Sequence, residues 1–509
     1  MSFRKKLPIY IVTVALCAFS LTGCGEKTTI GDKQFSLGAR KISVVISADE
    51  AAKLDEFSKL RRADLSGSTC YEEILNFQQT HPEIEVLYTV ELPDGSIVDN
   101  SITSLVLSEE AAKEPEKAAE AIQYLPELKE IELNFDSSVN LKAIYSISSL
   151  RPDMSYKCDV SVNGTAVSFS DTQLNMSGLD KDSAQQLLYV LPAMPELKTV
   201  DLGNAEQSPE LSFEQIHELQ TVRPDVEFLY EFEFFGKQFS LSDTKMDLNH
   251  ISMSDEGESV KEVIRCMPKL RFLDMDSCGV SDEAMASIRD EFPDVKVVWR
   301  VWFGNDYSVR TDVEKILASK PSVGGNLNGY NSQALMYCTD VKYLDIGHNE
   351  VLPDISFVAN MPKLEVAILA MATYSDISAL ANCLELEYLE IQSTNVSDLT
   401  PLSGLKKLKH LNIGNLPLLS DISPLYELPQ LERLWIGCID PVPQEQIEKM
   451  QSIAPDCEIN TSAYDPTDGG WRYRANKTGL DPRYEKLMEQ FQYQSGNAAY
   501  SFSWNDPLY

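Results

Sequence analysis

The chain has 509 residues, too many for one compact hydrophobic core, so it either divides into domains or grows as a repeat array along one axis. With 43% apolar and 24% charged residues it has a folded protein's composition, which excludes extensive disorder. A formal charge of −34 argues against nucleic acid and anionic headgroups as partners and favours cationic or neutral ones.

At the start, Arg4, Lys5 and Lys6 precede an apolar run over residues 7–21 that is too short to span a bilayer comfortably, the layout of a secretory signal. The run ends in Leu21-Thr22-Gly23-Cys24, which resembles the lipobox of bacterial lipoproteins. That resemblance implies that residues 1–23 are a signal peptide and that Cys24 is diacylated as the first mature residue. It also implies that the protein meets the outer face of the bacterial cell membrane through this lipid anchor alone. Residues 1–23 hold three basic and no acidic residues, so their removal takes the charge from −34 to −37. Residues 24–40 read as anchor and linker.

Residues 41–340 read as long units of about 70 residues behind an N-terminal cap. Prolines recur at Pro82, Pro152, Pro224 and Pro293, and apolar residues precede them at steps of three, as in Tyr71, Ile74 and Phe77 or Phe213, Ile216, Leu219 and Val222. This spacing predicts a short helix with one buried stripe, stopped where proline disfavours helical geometry in the residue before it. An alternating strand follows each proline, as in Ile84-Glu85-Val86-Leu87-Tyr88. Next come glycine turns at Asp94-Gly95, Asn163-Gly164, Phe235-Gly236 and Gly304-Asn305, which predict hairpins. A second phase, Pro126-Glu127-Leu128-Lys129-Glu130-Ile131-Glu132-Leu133, recurs from Pro195 and from Pro268.

Over residues 341–440 the period shortens to 22 or 23 residues. Leu386-Glu387-Tyr388-Leu389-Glu390-Ile391, followed by Asn395-Val396-Ser397-Asp398-Leu399-Thr400-Pro401-Leu402, resembles the internalin-type bacterial leucine-rich repeat, and Leu408-Lys409-His410-Leu411-Asn412-Ile413 matches it again. The resemblance implies an α/β leucine-rich-repeat solenoid, with a parallel concave sheet and short helices or turns on the convex side. The longer units then read as elaborated relatives carrying hairpin insertions. One repeat cannot bury its own apolar edge, so several must stack. Residues 441–509 read as C-terminal cap and tail, with helices around Ile447 and from Pro482 to Phe491.

Side chains alternate across a strand, so the residues flanking the central leucine share the concave face. One such column runs through Asp64, Glu132, Asp201, Asp274 and Asp345, an acidic ladder suited to a basic ligand or a solvated face. In the short repeats, Tyr343, Tyr388, His410 and Arg433 stand beside Asp345, Glu390, Asn412 and Trp435, a candidate contact groove for a protein or peptide ligand or for a glycan. No Walker loop, GxSxG, HExxH or CxxC spacing occurs, the five histidines occupy unrelated repeat phases, and the scattered cysteines read as buried thiols. The expectation is therefore a cell-surface binding protein rather than an enzyme, with no cofactor and no metal; a structural envelope spacer is the alternative.

Overall fold

In each short repeat the pattern L-x-x-L-x-L sends its large residues inward. Leu386, Leu389 and Ile391, then Leu408, Leu411 and Ile413, are all fully buried, and each buried leucine contributes about 1.5–3 kcal/mol. A computed structural model describes residues 26–133, 137–319, 326–437, 442–462, 467, 469–475 and 478–491. Cys24 and the signal-like segment lie outside these residues. Among them no helix is long and apolar enough to cross a membrane.

The chain divides into two compact units, Met1–Tyr230 and Glu231–Tyr509. The first opens with an antiparallel hairpin of Lys27–Ile30 and Lys33–Ser36, within the stretch expected to be linker. Parallel triplets follow: Lys41–Ser43, Arg62–Asp64 and Glu85–Leu87, then Ser104–Val106, Glu130–Glu132 and Ser155–Lys157. Each triplet is followed by a hairpin, Thr89–Glu91 with Ile97–Asp99 and Val160–Val162 with Thr165–Val167. A long unit thus supplies three parallel strands as well as its hairpin. Helices Tyr71–Thr80 and Phe213–Val222 form where the three-residue spacing placed them, burying Ile74 and Phe77, and Ile216 and Leu219. Buried Asn100 finishes the first triplet by imitating a strand: its side chain accepts from Tyr88 N and donates to Val86 O, both at 3.1 Å.

The second unit repeats the plan with the parallel strands Lys245–Asp247, Phe272–Asp274 and Lys296–Val298 and the hairpin of Arg300–Phe303 with Tyr307–Arg310. Seven parallel strands follow in sequence order: Lys315–Leu317, Tyr343–Asp345, Val366–Ile368, Tyr388–Glu390, His410–Asn412, Arg433–Trp435 and Glu458–Asn460. Short 3₁₀ turns such as Ser378–Asn382 and Ser423–Glu427 return the chain along the convex side. Helix Gln444–Ile453 takes that place before the last strand.

Strand exits share one device. The side-chain oxygen of Asp64, Asn175, Asp201, Asp247, Asp274, Asp345, Asn412 or Asn460 accepts from the backbone N–H two residues on, at 2.9–3.2 Å. In most repeats the next residue is left-handed, at Gly67, Gly178, His250, Ser277, His348, Met371, Ser393 and Asn415. A second set, Asp354, Asp376, Asp398 and Asp421, accepts from the N–H of Ser356, Ser378, Thr400 and Ser423 at 2.8 Å and starts the 3₁₀ turn.

Candidate functional site beneath the concave face

Parallel register sets the candidate groove residues in two straight rows. Tyr343, Val366, Tyr388, His410 and Arg433 are successive partners across the sheet, and so are Asp345, Ile368, Glu390, Asn412 and Trp435. The rows do not face open solvent. Asp345, Tyr388, Glu390, Asn412, Arg433 and Trp435 are buried, and Tyr343 and His410 are half-buried.

Part of their cover is the chain's own segment after the last strand. Gly470 and Trp471 lead into an antiparallel bridge between Tyr473 and Leu480, and then into helix Pro482–Phe491. The helix expected there forms, but it lies on the concave face instead of closing the end of the stack. Its buried Leu487 and Phe491 join Leu317, Val366, Ile368, Tyr388, Trp435 and Trp471 in one apolar cluster, and Phe491 meets Tyr343 edge to face at 6.0 Å.

Trp471 is the centre of this contact. Its ring lies 5.3 Å from both Tyr388 and Trp435, with the Arg433 guanidinium 4.3 Å away. Its indole N–H donates to Glu390 Oε1 at 2.8 Å. Glu390 also accepts from Tyr388 OH at 2.5 Å and Gln392 Nε2 at 2.8 Å, and forms an ion pair with Arg472. Burial pushes the Glu390 carboxyl up, yet the Arg472 charge and these hydrogen bonds hold it below its ordinary value. Arg433 Nη1 donates to the carbonyls of Gly470 at 3.1 Å and Trp471 at 3.4 Å, and Arg433 Nε to His410 Nδ1 at 3.4 Å. Burial, together with the Arg433 charge, lowers His410 to about 3, so its ring is neutral and accepts.

The acidic ladder is not an unbroken row of stacked neighbours: strands are interleaved, so that Asp247 is the register partner of Asp274 while Val106 and Asn175 are those of Glu132 and Asp201. Asp64, Glu132, Asp201 and Asp274 each sit on a different sheet, and the register partners of Asp345 are Leu317 and Ile368. Asp64, Asp201, Asp274 and Asp345 hold the strand-exit turn, and Asp274 also meets Arg310 at 2.9 Å. Beside it, Arg300 grips Asp276 in a fork at 2.9–3.0 Å. Sequence reasoning missed Trp471 and Arg472 as site residues, whereas Gln392 stood in the column of small residues beside the aromatic one. The only signal for the first two was an aromatic-arginine step following two glycines, Gly469 and Gly470.

No protein-family model matches the chain, and no curated protein matches it. Among solved structures it is similar to an internalin of Listeria monocytogenes, at 17% identity over 76% of this chain and 89% of that one, with a TM-score of 0.24. A leucine-rich-repeat protein of Leptospira interrogans is 16% identical over 67% of this chain and 91% of its own, with a TM-score of 0.25. The functional domain of another Listeria monocytogenes internalin is 12% identical over 75% and 68%, also with a TM-score of 0.25. Repeat spacing, parallel register and the inward leucines of the chain itself make each unit an α/β leucine-rich-repeat solenoid.

Proposed function

We propose that this protein is a bacterial, lipid-anchored, extracytoplasmic leucine-rich-repeat protein that binds a peptide or protein segment through the concave side of its seven-stranded sheet. One observation supports this reading above others: the face already holds a peptide segment, by its main-chain carbonyls through Arg433 and by its side chains through Glu390. A peptide fits better than a glycan, because Tyr388 and Trp435 close around an indole and Glu390 meets an indole N–H and a guanidinium. The acidic balance of the chain favours basic segments.

Panning a displayed random-peptide library against the full chain tests the binding reading. The expected result is an enriched consensus whose retention falls at least about tenfold, or roughly 1.4 kcal/mol, in Glu390→Gln. Retention of no consensus, by the wild-type chain or by full-length Trp471→Ala, overturns it in favour of the spacer. Metabolic labelling with a fatty-acid analogue tests the anchor separately. Label should be carried by the wild type and lost, with release from the membrane, in Cys24→Ser; label that persists on Cys24→Ser sinks the anchor.

A further inference from the structure

The segment of residues 470–475 and 478–491 contacts the sheet as a bound peptide does. It lies opposite the leucine core, which has its own cover: Leu389, Leu411 and Leu434 are fully buried between the strands and the 3₁₀ turns. Its grip combines a sequence-independent element with a sequence-reading one. Arg433 takes hold of two successive carbonyls, whatever side chains they carry. Glu390 reads the side chains of Trp471 and Arg472 together, accepting from the indole of the first and pairing with the guanidinium of the second. A phenylalanine would lose the indole bond, and a lysine would lose the planar fork that reaches both carboxylate oxygens.

The fit is also incomplete. Arg433 has a fully buried side chain whose Nη2 has no hydrogen-bond partner among the described residues, and buried Gln392 Oε1 has none among them either. Both stand beside the occupied pocket, since Arg433 holds the 470–471 main chain and Gln392 donates to the Glu390 carboxylate. A resident that leaves a buried donor and a buried acceptor unmatched is held less tightly than a fully matched one, which favours its release.

We propose that Tyr388, Glu390, Arg433 and Trp435 form a recognition pocket for a peptide bearing tryptophan followed directly by arginine, that Trp471-Arg472 is its resident internal ligand, and that an outside peptide with this step enters by displacing residues 470–491. The proposal rests on the peptide-binding reading above and names both its ligand class and its control. Opening the segment sets the outside affinity, because apparent binding weakens in proportion to the fraction of chains in which the pocket is free.

A fluorescent synthetic peptide with the sequence of residues 469–491 is titrated by anisotropy into the full chain and into full-length Trp471→Ala/Arg472→Ala. The doubly substituted chain should bind it saturably, the wild type at least about tenfold more weakly, and a peptide with alanine in place of arginine hardly at all. In the wild-type chain, excess unlabelled peptide should speed amide exchange over residues 470–491 while the strands around Leu411 and Leu434 stay protected. A folded double variant that ignores the peptide overturns the proposal. Should that variant unfold, unchanged exchange in the wild type at saturating peptide overturns it equally. Library peptides that bind this face without the Trp-Arg step and without speeding exchange leave the binding reading standing and remove this one.

Discussion

The Asp201 carboxylate accepts from Gly203 N at 2.9 Å, and that bond needs an acceptor, not a charge. Asp201→Asn should therefore leave urea stability within about 0.5 kcal/mol of the wild type, whereas Asp201→Ala should lose about 1 kcal/mol. Equal losses in the two variants contradict the turn role. His410 makes a pH prediction with a definite sign. Its native value is depressed to about 3, so its contribution is fully present above the ordinary imidazole value of about 6.5 and is lost as pH falls towards 3. Glu390, also depressed, adds a second loss below the ordinary carboxylate range. His410→Gln should flatten the acid-side decline between about pH 6 and 4, which in the wild type is no steeper than about 1.4 kcal/mol per pH unit from this one group. An unchanged acid limb in His410→Gln rules the histidine out as its source.

Elements show how far the sequence could be read. Alternation and the L-x-x-L-x-L spacing sufficed to place Tyr388 beside His410 and Glu390 beside Asn412, because a parallel register follows once each repeat supplies one strand. The Asn163-Gly164 and Phe235-Gly236 hairpins were legible for a similar reason: both residues of each turn take a positive φ. What covers a face is different information. Glu390 and Trp471 lie 81 residues apart, and no periodicity links a strand to a segment outside the repeats. The acidic column was legible as a column but not as a turn device, because aspartate serves a turn as readily as a ligand. Left-handed exits carry their own test. His348 is exposed at φ 61°, so His348→Gly should cost nothing and gain up to about 1 kcal/mol, and His348→Val should lose about 1–2 kcal/mol. Thermal melts of the two variants check this, and a stabilised valine variant contradicts it.

Across the whole molecule, the seven described cysteines are all free thiols. Burial pushes Cys338 and Cys383 up to about 12 and Cys278 up to about 11, far from the thiolate form that reacts. At pH 8 an aromatic disulfide reagent should leave Cys266, Cys278, Cys338, Cys383 and Cys457 untouched in the native chain while the urea-unfolded chain reacts fully; mass mapping reads the difference, and rapid native labelling of these five contradicts the burial. The recurring strand-exit turn has a consequence for the molecule's field. Since an amide oxygen serves as well as a carboxylate at each rung, as Asn412 and Asn460 already show, the backbone places no demand on net charge there. Related chains can therefore drift from strongly anionic to near neutral along these rungs while keeping the same coil, so long-range attraction for a partner evolves independently of the framework that displays it.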